Sequence, residues 1–107
     1  MRTPGGSEPD AAFAEISRAL LREPDVAEGK AFHTSGLTSD GQIFALLVDD
    51  ELVVKLPSPR CIALIATDSA RHFEFGGRRM REWVVIEGFD RRRWRELVKE
   101  ALAFARR

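Results

Sequence analysis

Few side chains in this sequence belong to the types that perform covalent or metal chemistry. The chain has one cysteine, Cys61, and two histidines, His33 and His72. A nucleophilic cysteine needs a base within reach, and neither histidine belongs to a ligand motif such as His-Glu-x-x-His. The adjacent carboxylates Asp49 and Asp50 follow a strand pattern, in a tight turn that favours aspartate for backbone reasons. We therefore expect no enzymatic activity, no metal site and no other cofactor.

The remaining candidates for binding chemistry are cationic and aromatic side chains. Lys55 lies within an apolar strand pattern, and Arg60 opens the helix pattern that follows. Arg78, Arg79, Arg81 and Trp83 come after a pair of glycines. If the strands adjoin in one sheet, these side chains converge on an anion, which lysine and arginine bind by charge-assisted hydrogen bonds. Of this group, Lys55, Arg60, Arg79 and Trp83 are the residues predicted to bind the anion. Alternatively, the cations are dispersed over the surface and Trp83 belongs to the core.

Charge is unevenly distributed along the chain, although the net charge is zero. Residues 1–70 hold 6 basic and 11 acidic residues, a difference of −5, whereas residues 71–107 hold 11 basic and 6 acidic residues, a difference of +5. Part of this excess is a basic surface predicted on the last helix, where Arg92, Arg95, Lys99 and also Arg106 fall on one side. An anionic partner would neutralise this region. Alternatively, the two halves interleave in the fold and their charges cancel.

Length and composition indicate one domain with one hydrophobic core. The 107 residues are 44% hydrophobic and 32% charged, which suits a chain that folds alone. No apolar run approaches the roughly 20 residues of a membrane-spanning helix, and the N-terminus lacks a signal-peptide pattern. Together with the single cysteine, these features predict a cytoplasmic protein that does not contact a membrane. Residues 1–8 are expected to form a disordered tail and residues 9–107 the domain.

Hydrophobic periodicity predicts an α+β fold with an antiparallel sheet of about five strands, in the order α-β-β-β-α-β-β-α. Helices are expected at 9–22, at 58–67 and from about 90, and strands at 31–37, 42–48, 51–56, 72–75 and 80–87. The expected N-caps of the helices are Ser7, Ser58 and Asp90. Phe89 and Trp94 have the spacing of a hydrophobic staple on the last helix. Cys61 is expected to be a small buried apolar side chain in the middle helix.

Several short motifs of this chain are modest one by one, but their order and spacing together are typical of one protein family. After the first helix they are Phe32, Gly36-Leu37, Gly41 to Ala45, Leu52 to Pro57, Arg60, Phe73 and Gly77 to Trp83. In this order the chain resembles the TfoX N-terminal domain family, especially the short TfoX/Sxy-like and YjbR-like proteins of bacteria, over about residues 11–106. The resemblance implies an α+β domain with an antiparallel sheet and kinship with a regulator of natural competence. The chain departs from the family at His33-Thr34, where a pair of glycines is common.

Two functions follow from the residues and the resemblance. The first is a regulatory or binding module that acts on an unknown protein partner, as a monomer or a homodimer. The second is binding of a small anion or nucleic acid through the arginine-rich C-terminal third, with an affinity that falls steeply with salt. The zero net charge and the lack of exposed-aromatic RNA motifs count against nucleic acid.

Overall fold

Three helices and six strands follow one another along residues 7–107, the part of the chain that this computed structural model describes. Their bounds are α1 Glu8–Leu20, β1 Val26–Ala31, β2 Thr34–Ser39, β3 Gln42–Val48, β4 Glu51–Lys55, α2 Ser58–Ala66, β5 Ala70–Phe75, β6 Arg78–Ile86 and α3 Arg91–Ala105. The predicted α+β class and antiparallel sheet are confirmed, and the spatial order of the strands is β1-β2-β3-β4-β6-β5. Residues 1–6 of the predicted tail lie outside the described residues.

The sheet has six strands rather than the five that were predicted, because β1 was not predicted and the strand predicted at 31–37 includes the turn between β1 and β2. The chain forms β1 at Val26–Ala31, turns at Phe32-His33 and returns as β2. As an edge strand, β1 is mostly exposed and carries no alternating apolar pattern. A turn made of phenylalanine and histidine also lacks the glycine, asparagine or aspartate by which a tight turn is recognised. Both the strand and the turn were therefore missed.

Four tight turns join the hairpins, and in each of them both central residues have positive φ. The four turns are Phe32-His33, Asp40-Gly41, Asp49-Asp50 and Gly76-Gly77. This geometry matches the twist of the strands and normally selects asparagine, aspartate or glycine. The last three turns obey that preference, and the predicted role of Asp49 and Asp50 as turn residues is confirmed. Phe32 and His33 adopt the same backbone at a steric cost.

Two of the predicted N-caps are confirmed and the third is wrong. Ser7 accepts a hydrogen bond from the Asp10 backbone N–H at 3.0 Å, and Asp90 accepts one from the Arg93 N–H at 3.0 Å. Ser58 does not cap α2, because it is already the first helical residue and Pro57 holds the cap position. The hydroxyl of Ser58 is therefore left for other contacts.

The main core lies between the three helices and one face of the sheet. Alternate residues of the central strand β4 divide between the faces: Leu52 and Val54 pack against the helices, and Val53 points to the other side. Cys61 is fully buried among the helix-facing residues, as predicted. Trp94 anchors α3, and its ring meets the Phe89 ring edge-on at 5.0 Å, which confirms the staple.

A second, smaller apolar cluster lies on the opposite face of the sheet. Its buried members are Leu46, Val53, Phe73, Trp83 and Val85. The turn between β1 and β2 packs against this cluster, since the Phe32 ring contacts rings on β5 and β6. These elements belong to opposite edges of the sheet, so the sheet must curl strongly to bring them together.

Candidate functional site

A cavity of about 450 Å³ opens where β4, β6 and the start of α2 meet. Its lining residues are Lys55, Ser58, Met80, Arg81, Glu82 and Trp83. Lys55 and Trp83 face one another as partners in the register of β4 and β6. Two of the four predicted ligand-binding residues therefore lie together on this cavity, which we call the Lys55–Arg81 cavity.

Backbone contacts position the side chains of the cavity. The Leu56 N–H donates a hydrogen bond to the Glu82 carbonyl at 2.9 Å, which holds the end of β4 against β6. Immediately afterwards Pro57 directs the chain into α2, so that Ser58 comes to lie beside Lys55. Trp83 is only 5% exposed and supplies an apolar wall.

The charge of the cavity comes from two cations that have no acidic partner in the part of the chain that the structure describes. Lys55 and Arg81 take part in none of the ion pairs within residues 7–107. Within residues 7–107 no side chain caps the N-terminal end of α2, and the helix dipole there also favours an anion. Glu82 supplies one opposing carboxylate. The cavity can therefore accept an anionic group by charge and by hydrogen bonds.

Arg60 lies on a different cavity from Lys55. Its guanidinium donates to both carboxylate oxygens of Glu100 on α3, at 2.9 and 3.1 Å, and this hydrogen-bonded pair raises the pKa of the Arg60 guanidinium. The second cavity also includes Arg92 and Arg93 at the start of α3. Arg60 thus links two helices and is not brought together with Lys55.

Arg79 is kept out of the Lys55–Arg81 cavity by a register shift in the β5–β6 pair. The shift falls between His72 and Phe73, and beyond it Phe73 pairs with Met80 and Glu74 pairs with Arg79. Phe73 and Met80 both belong to the second cluster, so the neighbouring pair points to the other face. The bulge reverses the alternation of β6 between Trp83 and the residues near the turn.

The predicted basic surface on α3 is exposed but does not adjoin the Lys55–Arg81 cavity. Arg92 lies 3.6 Å from Glu96, and within residues 7–107 Arg95 and Lys99 have no ion pair. Elsewhere the two oppositely charged halves of the sequence interleave. Ion pairs join them at Arg60–Glu100, Arg71–Glu51, Arg91–Glu15, Arg106–Glu23 and Arg106–Asp25. Much of the charge asymmetry is therefore cancelled within the fold.

The prediction missed three side chains of the cavity, those of Ser58, Met80 and Glu82. Arg81 belonged to the cationic group that was expected to converge, but it was not among the four residues chosen for the binding site. Ser58 was assigned to a helix cap, and Met80 and Glu82 were assigned only to a strand. Their proximity depends on how α2 packs beside β6, which sequence spacing does not report.

The potential catalytic groups occupy other places. The Cys61 thiol donates to the Leu56 carbonyl at 3.5 Å, and burial raises the pKa of the thiol. The Nδ1 atom of His72 is buried and has no hydrogen-bond partner among the described residues. Within residues 7–107 no group of three or more histidine, cysteine, aspartate or glutamate side chains is placed to hold a metal ion. None of the helices described combines the length and the apolar character needed to cross a bilayer.

Comparisons with known proteins identify no relative of this chain, so a functional proposal has to start from the geometry of the cavity. No family model, no curated protein and no solved structure matches this chain.

Proposed function

We propose that this chain is a non-enzymatic binding module that docks an acidic segment of a partner protein at the Lys55–Arg81 cavity. The observation that carries the proposal is the presence of two cations on one cavity without an acidic partner among the described residues. Arg60, Arg71 and Arg106 are each bound by carboxylates. The cations of the cavity therefore differ from those that stabilise the fold.

Partial burial strengthens the case for an external anion. Lys55 is half-buried between Trp83 and the start of α2. A cation that loses water without gaining a counter-ion raises the free energy of the free protein. A carboxylate from a partner would offset this cost and would form charge-assisted hydrogen bonds with Lys55 and Arg81.

A protein partner fits the site better than nucleic acid does. The zero net charge gives the molecule no overall attraction for a polyphosphate, and the one tryptophan of the cavity is too buried to stack with a base. The second candidate remains a small anion or nucleic acid, because Arg78 and Arg79 add exposed cations on the same hairpin. Strong salt dependence and preference for phosphate over carboxylate would favour that candidate.

The resemblance to the TfoX N-terminal domain family supports a regulatory role for the binding module. Under this proposal the protein works in the bacterial cytoplasm, as a monomer or a homodimer, and its partner is a protein.

Charge reversal at the cavity tests the proposal. The probe is a short fluorescently labelled peptide rich in glutamate and leucine, with a glutamate-to-lysine peptide of equal length as the negative control. We expect K55E and R81E each to weaken binding of the acidic peptide by about tenfold, which corresponds to about 1.4 kcal/mol. Fluorescence anisotropy measures both affinities.

R95E is the matched control, because Arg95 is an exposed, unpaired cation of the described chain that lies outside the cavity. It changes the net charge by the same amount. Equal losses for R81E and R95E would mean that only overall charge matters and would overturn the proposal. Tighter binding of labelled single-stranded DNA than of the peptide, with the same dependence on Lys55 and Arg81, would establish the second candidate instead.

A further inference from the structure

A partly exposed surface of three rings and a methionine continues from the Lys55–Arg81 cavity across the sheet. We call it the aromatic strip and define it as Phe32, His33, Phe75 and Met80. Met80 joins the two surfaces, since it lines the cavity and also packs against the second apolar cluster. A segment lying in the cavity would therefore meet the strip at Met80.

The strip is held in place by contacts between rings. Phe32 lies 5.1 Å from Phe73, 5.0 Å from Phe75 and 5.4 Å from Trp83, measured between ring centroids. The His33 ring lies 5.6 Å from that of Phe75. Aromatic pairs at such distances add about 0.5 to 1.5 kcal/mol each beyond burial. The strip is thus a preorganised surface, which reduces the entropy lost on binding.

The backbone that presents the strip is strained. Phe32 and His33 have φ values of 53° and 63°, which bulky side chains rarely adopt. Glycine occupies both central positions of the β5–β6 turn. Strained residues concentrate at binding sites, where the conformation serves recognition more than stability.

The exposure and the charge of the strip indicate what would cover it. Phe75 is 37% exposed, whereas Phe73, two residues earlier on β5, is buried in the second cluster. Its register partner Arg78 is exposed and has no ion pair within residues 7–107. Aromatic, methionine and arginine side chains are enriched in protein interfaces, where a large apolar side chain is anchored and a charged rim surrounds it.

We infer that the segment docked by this protein carries an aromatic side chain next to its acidic residues. The aromatic side chain packs on the aromatic strip while a carboxylate lies between Lys55 and Arg81. The inference rests on the proposed function, and it adds a second point of recognition to that site.

Two acidic peptides of equal charge separate this inference from the proposed function. One contains a phenylalanine among glutamates, and the other has alanine at that position. We expect the phenylalanine peptide to bind about tenfold more tightly to the wild-type protein. F75A should remove this difference and leave the affinity for the alanine peptide unchanged.

I62A is the matched control, because Ile62 is another large apolar side chain, 61% exposed, on α2. It should affect neither peptide. If R81E weakens both peptides while F75A changes neither, the inference is wrong and the proposed function stands. If neither peptide binds the wild-type protein, the proposed function is wrong, and the inference that rests on it is wrong as well.

Self-association of the strip is the competing outcome. Sedimentation velocity of the wild-type protein, F75A and I62A without peptide measures it. A dimer that F75A alone dissociates would assign the strip to a second copy of this chain and would overturn the inference. A monomer in all three, together with the peptide result above, supports it.

Discussion

His33 holds a left-handed backbone conformation that Gly77 adopts at the corresponding position of the β5–β6 hairpin, with φ values of 63° and 78°. A Cβ atom at such a position costs roughly 1 to 2 kcal/mol. Glycine would remove that cost, although its larger unfolded-state entropy offsets part of the gain. The turn is therefore a place where stability and surface chemistry oppose one another.

H33G should stabilise the fold by about 0.5 to 1 kcal/mol, because the relief of backbone strain exceeds the entropy term. Urea unfolding followed by circular dichroism measures the change. G77H is the reverse substitution at a matched position, where an added Cβ meets no atom of residues 7–107 within 4 Å, and it should destabilise the fold by a similar amount. A loss of stability in H33G would show that the His33 contact with Phe75 outweighs the strain.

Cys61 should react slowly with thiol reagents in the folded protein. Its side chain has no exposed surface, and burial raises the pKa of the thiol, so the reactive thiolate is both scarce and covered. Reaction with a chromogenic disulfide at neutral pH should be at least tenfold slower than in urea, since it waits for local opening. A66C in a C61S background places an exposed thiol on the same helix as the control. Equal reaction rates for the folded wild-type protein and the folded control variant would contradict the prediction.

At the scale of elements, the curl of the sheet depends on how closely β2 approaches β3. Gly36 lies in β2 beside the register shift between Leu37 and Thr38. A Cβ atom built on Gly36 would stand 2.3 Å from the Ala45 carbonyl oxygen and 2.5 Å from a methyl group of Leu46. Because the first of these atoms is backbone of the adjacent strand, the sheet itself would have to move.

G36A should therefore destabilise the fold by about 2 to 4 kcal/mol, as substitutions that force backbone shifts in a packed region do. Thermal and urea unfolding provide the measurement. S35A changes the preceding, exposed residue of the same strand and should stay within about 0.5 kcal/mol of the wild-type protein. If G36A matched S35A in stability, the strands would not be packed as closely as the structure has them.

At the scale of the whole molecule, Arg106 joins the C-terminal end of α3 to the segment between α1 and β1. Its guanidinium donates to both oxygens of Asp25 at 2.8 Å and to Glu23 at 3.1 Å, across a separation of 81 residues for Asp25. The Ser39 hydroxyl donates to the same Asp25 carboxylate at 2.6 Å. The hydrogen bond from Arg106 has the largest effect on this carboxyl group. Together with the bond from Ser39, it holds the pKa of Asp25 well below its ordinary value.

Because the pKa of Asp25 is lowered in the folded state, part of the folding stability depends on pH. A carboxyl group whose pKa is lower in the folded state stabilises the fold above its unfolded pKa of about 3.9 and loses this contribution as the pH falls. The urea midpoint of the wild-type protein should fall between about pH 5 and about pH 2 by more than that of D25N. D49N is the control, since Asp49 lies in a turn and has no ion pair within residues 7–107. Parallel curves for the wild-type protein and D25N would contradict this assignment.

The sequence by itself determined the elements whose stability is local. The caps at Ser7 and Asp90, the staple of Phe89 and Trp94, and the burial of Cys61 follow from residues within a few positions of one another. Helix ends and periodic faces depend on such short spacings, and so they were predicted correctly. The antiparallel sheet was also foreseen, from short apolar runs separated by turn residues.

The tertiary structure alone decided which cations share a cavity. Lys55 and Trp83 meet because β4 pairs with β6, whereas Arg60 is held by Glu100 and Arg79 is turned away by the shift in the β5–β6 register. Each of these outcomes depends on contacts between residues far apart in the chain, and a one-residue change in strand register moves a side chain to the opposite face. For the same reason the sixth strand and the Phe32-His33 turn escaped prediction: a bulky residue adopts a strained turn only when distant rings hold it there.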